Sequence, residues 1–419
     1  MKVRLIFTAV LLLVLCFVIA LISCAGEIDV SASVDLDAEG TPVSEDLYGL
    51  FLEDISFAGD GGLVSELVNN KSFEYEYDKT AYWRFSDLSA TVNTGSGLNE
   101  KNPSYLSVNV SGEGSVRNLG YVEFFDDMTD NYNAEKMNAP DMGFEEGAFY
   151  DVSLYVRSRG FTGSVSARPF YVSGGSGEGC VFSPLPSESE GWVKLEGSFE
   201  AERSEDGGLE LFFEGEGDLD VDFVSLTPQN THGYGSEEWK YVTLRQDLFD
   251  ALDELDPSFI RFPGGCLAEG DDLDDLFDWK NTIGPLEERR HSNNIWRYDE
   301  NGRHYGNTYS LGYHEYFQLC EDLGALPLPI LNVGMICQFQ FDPGYRNTQK
   351  DYRAGRMSEE EWNAYLDSFA YAPGSEEYEE YTQNILDLLD YALASPADNE
   401  WAALRAENGH PEPFDLRYL

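Results

Sequence analysis

Between Trp83 and Pro228 the apolar residues fall at every second position rather than every third or fourth. Tyr150, Val152, Leu154 and Val156 alternate with Asp151, Ser153, Tyr155 and Arg157, which is the period of a strand with one face buried. Leu106 to Val110, Trp192 to Leu195, Leu209 to Phe213 and Leu219 to Leu226 repeat the theme, separated by Gly, Ser, Asn and Glu. Several short alternating strands joined by turn residues predict an antiparallel β-sandwich over residues 80–230.

On either side the pattern differs. Residues 27–45 alternate weakly through Ile28, Val30, Ala32, Val34 and Leu36, and Leu47 to Leu52 form a short apolar run that ends in Glu53 and Asp54. After Pro228 the period becomes helical. Leu244, Leu248, Ala251, Leu252 and Leu255 predict a helical face that stops before Pro257. Phe259 to Phe262 predict a buried strand closed by Pro263-Gly264-Gly265, Tyr313, Phe317, Cys320 and Leu323 a second helix, and Leu328 to Val333 another strand. Tyr381, Ile385, Leu388, Leu389 and Ala392 predict a third helix over 378–393, and Phe414 to Leu419 the start of one more strand. This order, βαβαβαβ, predicts parallel strands with helices outside them. Four such strands cannot close an eight-stranded barrel.

With 42% hydrophobic and 14% aromatic residues, the chain has the makings of real cores despite a formal net charge of −50. Such a field repels nucleic acid and anionic membrane surfaces, so a neutral or cationic partner is expected. The acid serves either as a solvated, solubilising surface or as an adaptation to a salty medium. Lys2 and Arg4 precede an apolar run from Leu5 to Ile22, and Leu21-Ile22-Ser23-Cys24 has the look of a bacterial lipobox. Residues 1–24 are thus expected to be a lipoprotein signal peptide with Cys24 as the lipidated residue, or else an uncleaved anchor. Either puts the remainder outside the cytoplasm, at the cell surface or in the periplasm, held to a membrane through the anchor. Cys180, Cys266, Cys320 and Cys337 are widely spaced, and His232, His291, His304, His314 and His410 are scattered. The spacing signals neither a zinc site nor a disulfide framework.

If the parallel strands carry a site, it lies at their C-terminal ends. Those ends hold Glu53 and Asp54, the turn Gly264-Gly265-Cys266 followed by Glu269, and Asn332 with Gly334. Taken singly, Glu53 serves equally well as a solvated or capping acid, and the glycine pair as a turn alone.

Taken together they resemble a family. Gly49 to Asp54 with Asp60-Gly61-Gly62-Leu63 and Glu66 to Glu74 resembles the opening of glycoside hydrolase family 51, the α-L-arabinofuranosidases. Phe259 to Cys266 with Glu269-Gly270, Trp279 to Pro285, Leu311 to Tyr316 and Ala403 to Pro411 extends the likeness over nearly everything after the leader. The stretch 83–228 is similar to the family-4-type carbohydrate-binding module that many members insert after the first strand.

The resemblance implies an incomplete (β/α)8 TIM barrel interrupted after strand one by a jelly-roll-like β-sandwich. Residues 27–79 would supply the first barrel strand, 80–230 the module, and 231–419 the barrel elements through the start of strand four. It implies retaining hydrolysis of arabinofuranosyl residues in arabinoxylan- or arabinan-type plant polysaccharides by two carboxyls roughly 5 to 5.5 Å apart, with no cofactor or metal. Glu53 matches the strand-one acid that bonds sugar hydroxyls, and Gly264, Gly265 and Cys266 a substrate-lining loop; some members carry Asn in place of Cys266. Asn332 is a further substrate-binding candidate. No catalytic residue is expected within the chain, since the family's acid/base follows an Asn at the end of strand four and its nucleophile lies further on. The pairs Asn99-Glu100 and Asn399-Glu400 fall at no barrel strand end and are expected at the surface. A non-catalytic polysaccharide-binding surface lipoprotein is the alternative, a nonfunctional product of a nonsense mutation another, and homo-oligomers occur in the family.

Overall fold

The alternating stretches of the chain's middle third fuse into strands longer than their sequence pattern suggests. The computed structural model describes residues 40, 42–76, 78–122, 125–126, 131–132, 139–183, 185, 187–270, 273, 276–298, 304–337 and 345–419. Residues 45–419 form one compact unit. The expected leader with Cys24, and most of the weakly alternating stretch 27–45, lie outside the described residues. Among the described residues no helix is long and apolar enough to cross a membrane.

After a short first strand, β1 (Leu50–Phe51), the chain builds an antiparallel sheet. Its strands are β2 (Trp83–Ser86), β3 (Ser89–Thr94), β4 (Ser104–Asn118), β5 (Met142–Phe144), β6 (Phe149–Tyr171), β7 (Cys180–Phe182), β8 (Val193–Glu200) and β9 (Glu205–Pro228). The central path runs β8-β6-β9-β4-β2, with β3 on β4, β5 on β9 and β7 on β6. A straight strand as long as β9 would span about 80 Å. The three long strands instead turn a corner together, where Gly215 of β9 lies opposite Gly112 of β4 on one side and Gly163 of β6 on the other. Gly215 has φ +152 and Gly163 φ +157, and a Cβ on either would sit 2.2 Å or less from a carbonyl oxygen of the neighbouring strand. Because the corner folds the sheet over, side chains from both sides of it share one core. Leu106 and Val116, Leu154 and Val165, and Leu211 and Val221 all belong to that cluster.

Acids in this sheet are compensated across strands. Glu210 is clasped between Arg117 and Arg168, and Asp220 between Arg157 and Arg159. Gly215→Ala is expected to lower the thermal stability of the chain by about 1 to 3 kcal/mol from backbone strain, and more from the carbonyl contact. Gly143→Ala, where no atom lies within 4 Å of the added carbon, is the control and is expected to change the melting temperature little.

The second layer system is parallel. β10 (Phe259–Phe262) pairs with β1 on one side and with β11 (Leu326–Pro329) on the other, all in parallel register. One face, with Leu50, Ile260 and Phe262, packs against helices; the next row, Phe51–Arg261–Leu328, lies on the opposite face. Phe51 is 54% exposed there, with the Arg261 guanidinium over its ring.

The helices are α1 (Gln246–Asp253), the single turn α2 (Cys266–Glu269), α3 (Tyr313–Asp322), α4 (Tyr345–Arg353), α5 (Glu359–Leu366), α6 (Glu376–Leu393) and α7 (Glu400–Glu407). Tyr313, Phe317, Cys320 and Leu323 are all buried, as their spacing predicts.

Three expectations need correction. Leu244 is spent in a two-residue strand, and α1 turns Phe249 inward while Ala251 and Leu255 are exposed. The strand expected over 328–333 runs from Leu326 to Pro329. Phe414 to Leu419 form no ladder, because the Phe414 N–H goes to the Ala392 carbonyl at the end of α6. Asn399 and Glu400 lie at the surface as expected, half-buried and exposed, and the Asn399 side chain accepts from the Trp401 and Ala402 N–H groups and caps α7.

Candidate functional site

The parallel ladder places the chain immediately after β1 beside the turn that follows β10, since the Leu52 N–H donates to the Arg261 carbonyl. Glu53 comes next. Its Oε1 accepts from the N–H groups of Gly265 and Leu267, each at 3.1 Å. Among the described residues, these hydrogen bonds to the carboxylate both fall on Oε1. The turn must be glycine: Gly264 has φ +154, and a Cβ on it would lie 2.3 Å from Glu53 Oε1. Any side chain at 264 would push the carboxylate off its two donors.

Asn332, just beyond β11, meets the same turn from the other side. Its Nδ2 donates to the carbonyls of Ala268 and Glu269, each at 2.9 Å, and to that of Met335, while Oδ1 accepts from the N–H groups of Gly334 and Met335. Its polar atoms are thus engaged with backbone, and Asn332 straps the loop 332–337 onto α2. Glu53, Gly264, Gly265, Cys266 and Asn332 are brought to one end of the three-stranded sheet.

Asp54 points the other way, into the loop after β1. It accepts from the Gly59 N–H at 2.9 Å, and burial, with the neighbouring Asp60 carboxylate second, pushes its pKa up to about 7. Asp60 in turn holds the Thr308 N–H and hydroxyl.

Sequence reasoning missed Cys337. Its N–H donates to the Gly270 carbonyl at 2.8 Å, its thiol is hydrogen-bonded with that of Cys266, and Cys266, Glu269 and Cys337 bring their side-chain donor atoms within 4.8 Å of one another. Burial, followed by Glu269 and Glu53, raises the Cys266 thiol above its ordinary range, and the bond with Cys337 partly offsets this. Seventy residues separate these cysteines along the chain, so only their shared place beyond the ends of adjacent parallel strands could have suggested the pairing. A cleft of about 620 Å³ lies elsewhere, at the opposite end of the parallel strands, lined by Asp256, Ser258, Leu326, Phe414 and Arg417.

Asn99 and Asn102 donate to the Glu287 carbonyl, and the Tyr155 hydroxyl to the Glu287 carboxylate at 2.7 Å. The antiparallel domain is therefore joined to the loop before the Arg289–Glu315 pair. Asn99-Glu100 lies in this junction and brings no carboxyl to the site.

A family model described as "Alpha-L-arabinofuranosidase 1 domain" matches residues 251–419. The chain is 32% identical over 408 residues to an extracellular exo-α-L-arabinofuranosidase of Streptomyces chartreusis, covering 93% of this chain and 42% of that protein. It is 31% identical over 402 residues to α-L-arabinofuranosidase 1 of Arabidopsis thaliana, covering 91% of this chain and 49% of that one. An arabinose-bound GH51 α-L-arabinofuranosidase shares the fold, with a TM-score of 0.68 and 24% identity over 89% of this chain and 53% of its own. The chain spans about half the length of the curated relatives it matches. Over the length it spans, the chain is similar to α-L-arabinofuranosidases and shares the fold of a GH51 member.

Proposed function

We propose that these residues form the N-terminal part of an enzyme that removes terminal non-reducing α-L-arabinofuranosyl residues from arabinoxylan- or arabinan-type polysaccharides with retention, outside the cytoplasm. The observation that carries the proposal is the Glu53 carboxylate. It is fixed on two backbone N–H groups at the ends of parallel strands, and a carboxylate held there is an acceptor for a sugar hydroxyl. The Gly264-Gly265 turn lets a ring approach the backbone closely, and Cys266 lines the same floor.

The reading of the parallel sheet as part of a barrel is supported by its open face. Phe51, Arg261 and Leu328 form a row there as the inner wall of a barrel would, while the other face is packed on helices. The reading of residues 80–230 as a carbohydrate-binding-like module is supported by the folded-over antiparallel sheet and by the half-buried Tyr105, Tyr155 and Trp192 on it. In this scheme the acid/base and the nucleophile come from residues after Leu419, so Glu53 positions the furanose rather than moving a proton. Anchoring through Cys24 and assembly into homo-oligomers belong to the same proposal.

The test compares the 419-residue chain with a protein that continues its reading frame. The longer protein is expected to release p-nitrophenol from p-nitrophenyl α-L-arabinofuranoside and the 419-residue chain to release none. In the longer protein Glu53→Gln is expected to lower kcat/KM roughly 10- to 100-fold, the worth of one hydrogen bond to a charged group. Turnover by the 419-residue chain would place a catalytic pair inside it. Silence of the longer protein on arabinofuranosides would overturn the activity.

A further inference from the structure

We propose that Cys266, Glu269 and Cys337 form a binding site for a thiophilic divalent cation, of which Zn²⁺ is the type. The three side chains offer two sulfurs and a carboxylate oxygen, all within 4.8 Å of one another. Tetrahedral zinc, with Zn–S about 2.3 Å and Zn–O about 2.0 to 2.2 Å, places its ligand atoms roughly 3.3 to 3.8 Å apart. Closing the present arrangement onto an ion therefore asks for movements of an ångström or less. Two thiolates select a soft or borderline ion over magnesium or calcium.

The donors are held by backbone rather than by each other alone. Cys266 and Glu269 open and close the same helical turn, α2, and so project from one side of it. Cys337 is tied to the residue after that turn by its N–H bond to the Gly270 carbonyl, and Asn332 clamps the two carbonyls of Ala268 and Glu269. Cys337 is buried while Cys266 and Glu269 are half-buried, so two of the three donors are reached from solvent. Three protein ligands and one exchangeable position are the form of an open site. The acidic chain raises the local concentration of any cation, and Glu53 adds a further carboxylate beside Cys266. Binding exchanges protons for the ion: the thiols reach the metal as thiolates, and their protons leave to solvent.

The probe is Co²⁺, whose thiolate charge-transfer and d–d bands report sulfur ligation in a tetrahedral field, titrated into the reduced full chain. One equivalent is expected to saturate the bands, and Zn²⁺ to abolish them. Cys266→Ser and Cys337→Ser are each expected to remove part of the charge-transfer intensity, and together all of it. Glu269→Gln is expected to weaken binding by about tenfold or more while keeping the thiolate bands. Cys180→Ser, on the antiparallel sheet, is expected to change nothing. A second measurement needs no variant: Zn²⁺ should slow alkylation of Cys266 by iodoacetamide, mapped by mass spectrometry, and leave Cys180 unprotected. Absence of a saturable band at one equivalent, bands that survive in the double cysteine variant, or unchanged alkylation of Cys266 would each overturn the site.

Discussion

Arg289→Met is expected to destabilise the fold by about 3 to 5 kcal/mol, the usual cost of breaking a buried ion pair from one side. The Arg289 side chain has no solvent exposure, and all its donors are used. Nε and Nη2 donate to the Gly284 carbonyl, Nη1 to the carbonyls of Tyr309 and Ser310, and the fork grips Glu315 at 2.6 and 2.9 Å. Glu315 also accepts from the Gly312 N–H and so fixes the start of α3, whose Tyr316 and Phe317 pack on Phe262 of β10. Methionine matches the stem but leaves one buried carboxylate uncompensated and three carbonyls without their donor. Lysine is expected to recover less than half of the loss, because a single ammonium cannot reproduce the planar fork. Arg289→Met with Glu315→Leu is expected to be more stable than Arg289→Met alone, since it removes the stranded charge. Urea titrations of the four proteins decide the matter; a cost below about 1 kcal/mol for Arg289→Met would show that the pair does not organise this region.

Neither Arg289 nor Glu315 stands out in the sequence, and the reason generalises. Periodicity reports which face of an element is apolar, so the helix at 313–322 and the strands at 150–157 and 259–262 are legible from spacing alone. It is blind to what joins elements. Gly112, Gly163 and Gly215 read as breaks between strands, whereas the ladder runs through them and bends. Leu255 looks like the next apolar rung of α1 yet is exposed, because the helix ends two residues earlier. At the candidate site, Glu53 and the Gly264 to Cys266 turn are readable because parallel strands gather their C-terminal ends, and the structure puts them in hydrogen-bond contact. Cys337 is not readable, since its place beside Cys266 depends on the path of the loop after β11. The protonation of Asp54 is likewise hidden, because it depends on how deeply the loop 54–63 is packed.

That protonation gives the second large effect. Asp54 is raised from its ordinary 3.8 to about 7 by burial first and by Asp60 second, against the opposing N–H bonds from Gly59, Asp60 and Ala58. A raised folded-state value means the native protein holds this proton more tightly than the unfolded chain does. Its contribution is therefore fully present below about pH 4, is lost progressively as pH climbs to 7, and stays lost above that. The loss is about 1.4 kcal/mol per pH unit, roughly 4 kcal/mol across the window. His291 and His314 work in the opposite sense. Burial lowers both to about 3, so the stability they lend is present above their ordinary 6.5 and lost as pH falls towards 3. The pH profile of the wild-type chain sums these terms, and comparison with Asp54→Asn separates them, because the histidines are common to both proteins. Asparagine keeps a carbonyl oxygen for the Gly59 N–H and cannot ionise. The variant is expected to match the wild type near pH 4 and to exceed it by roughly 3 to 4 kcal/mol at pH 8. Urea midpoints measured at half-unit steps from pH 4 to 8 give the difference directly. Parallel curves for the two proteins would mean that Asp54 is ionised in the native state throughout, and that the loop after β1 is held by its N–H bonds to a carboxylate instead of by a buried proton.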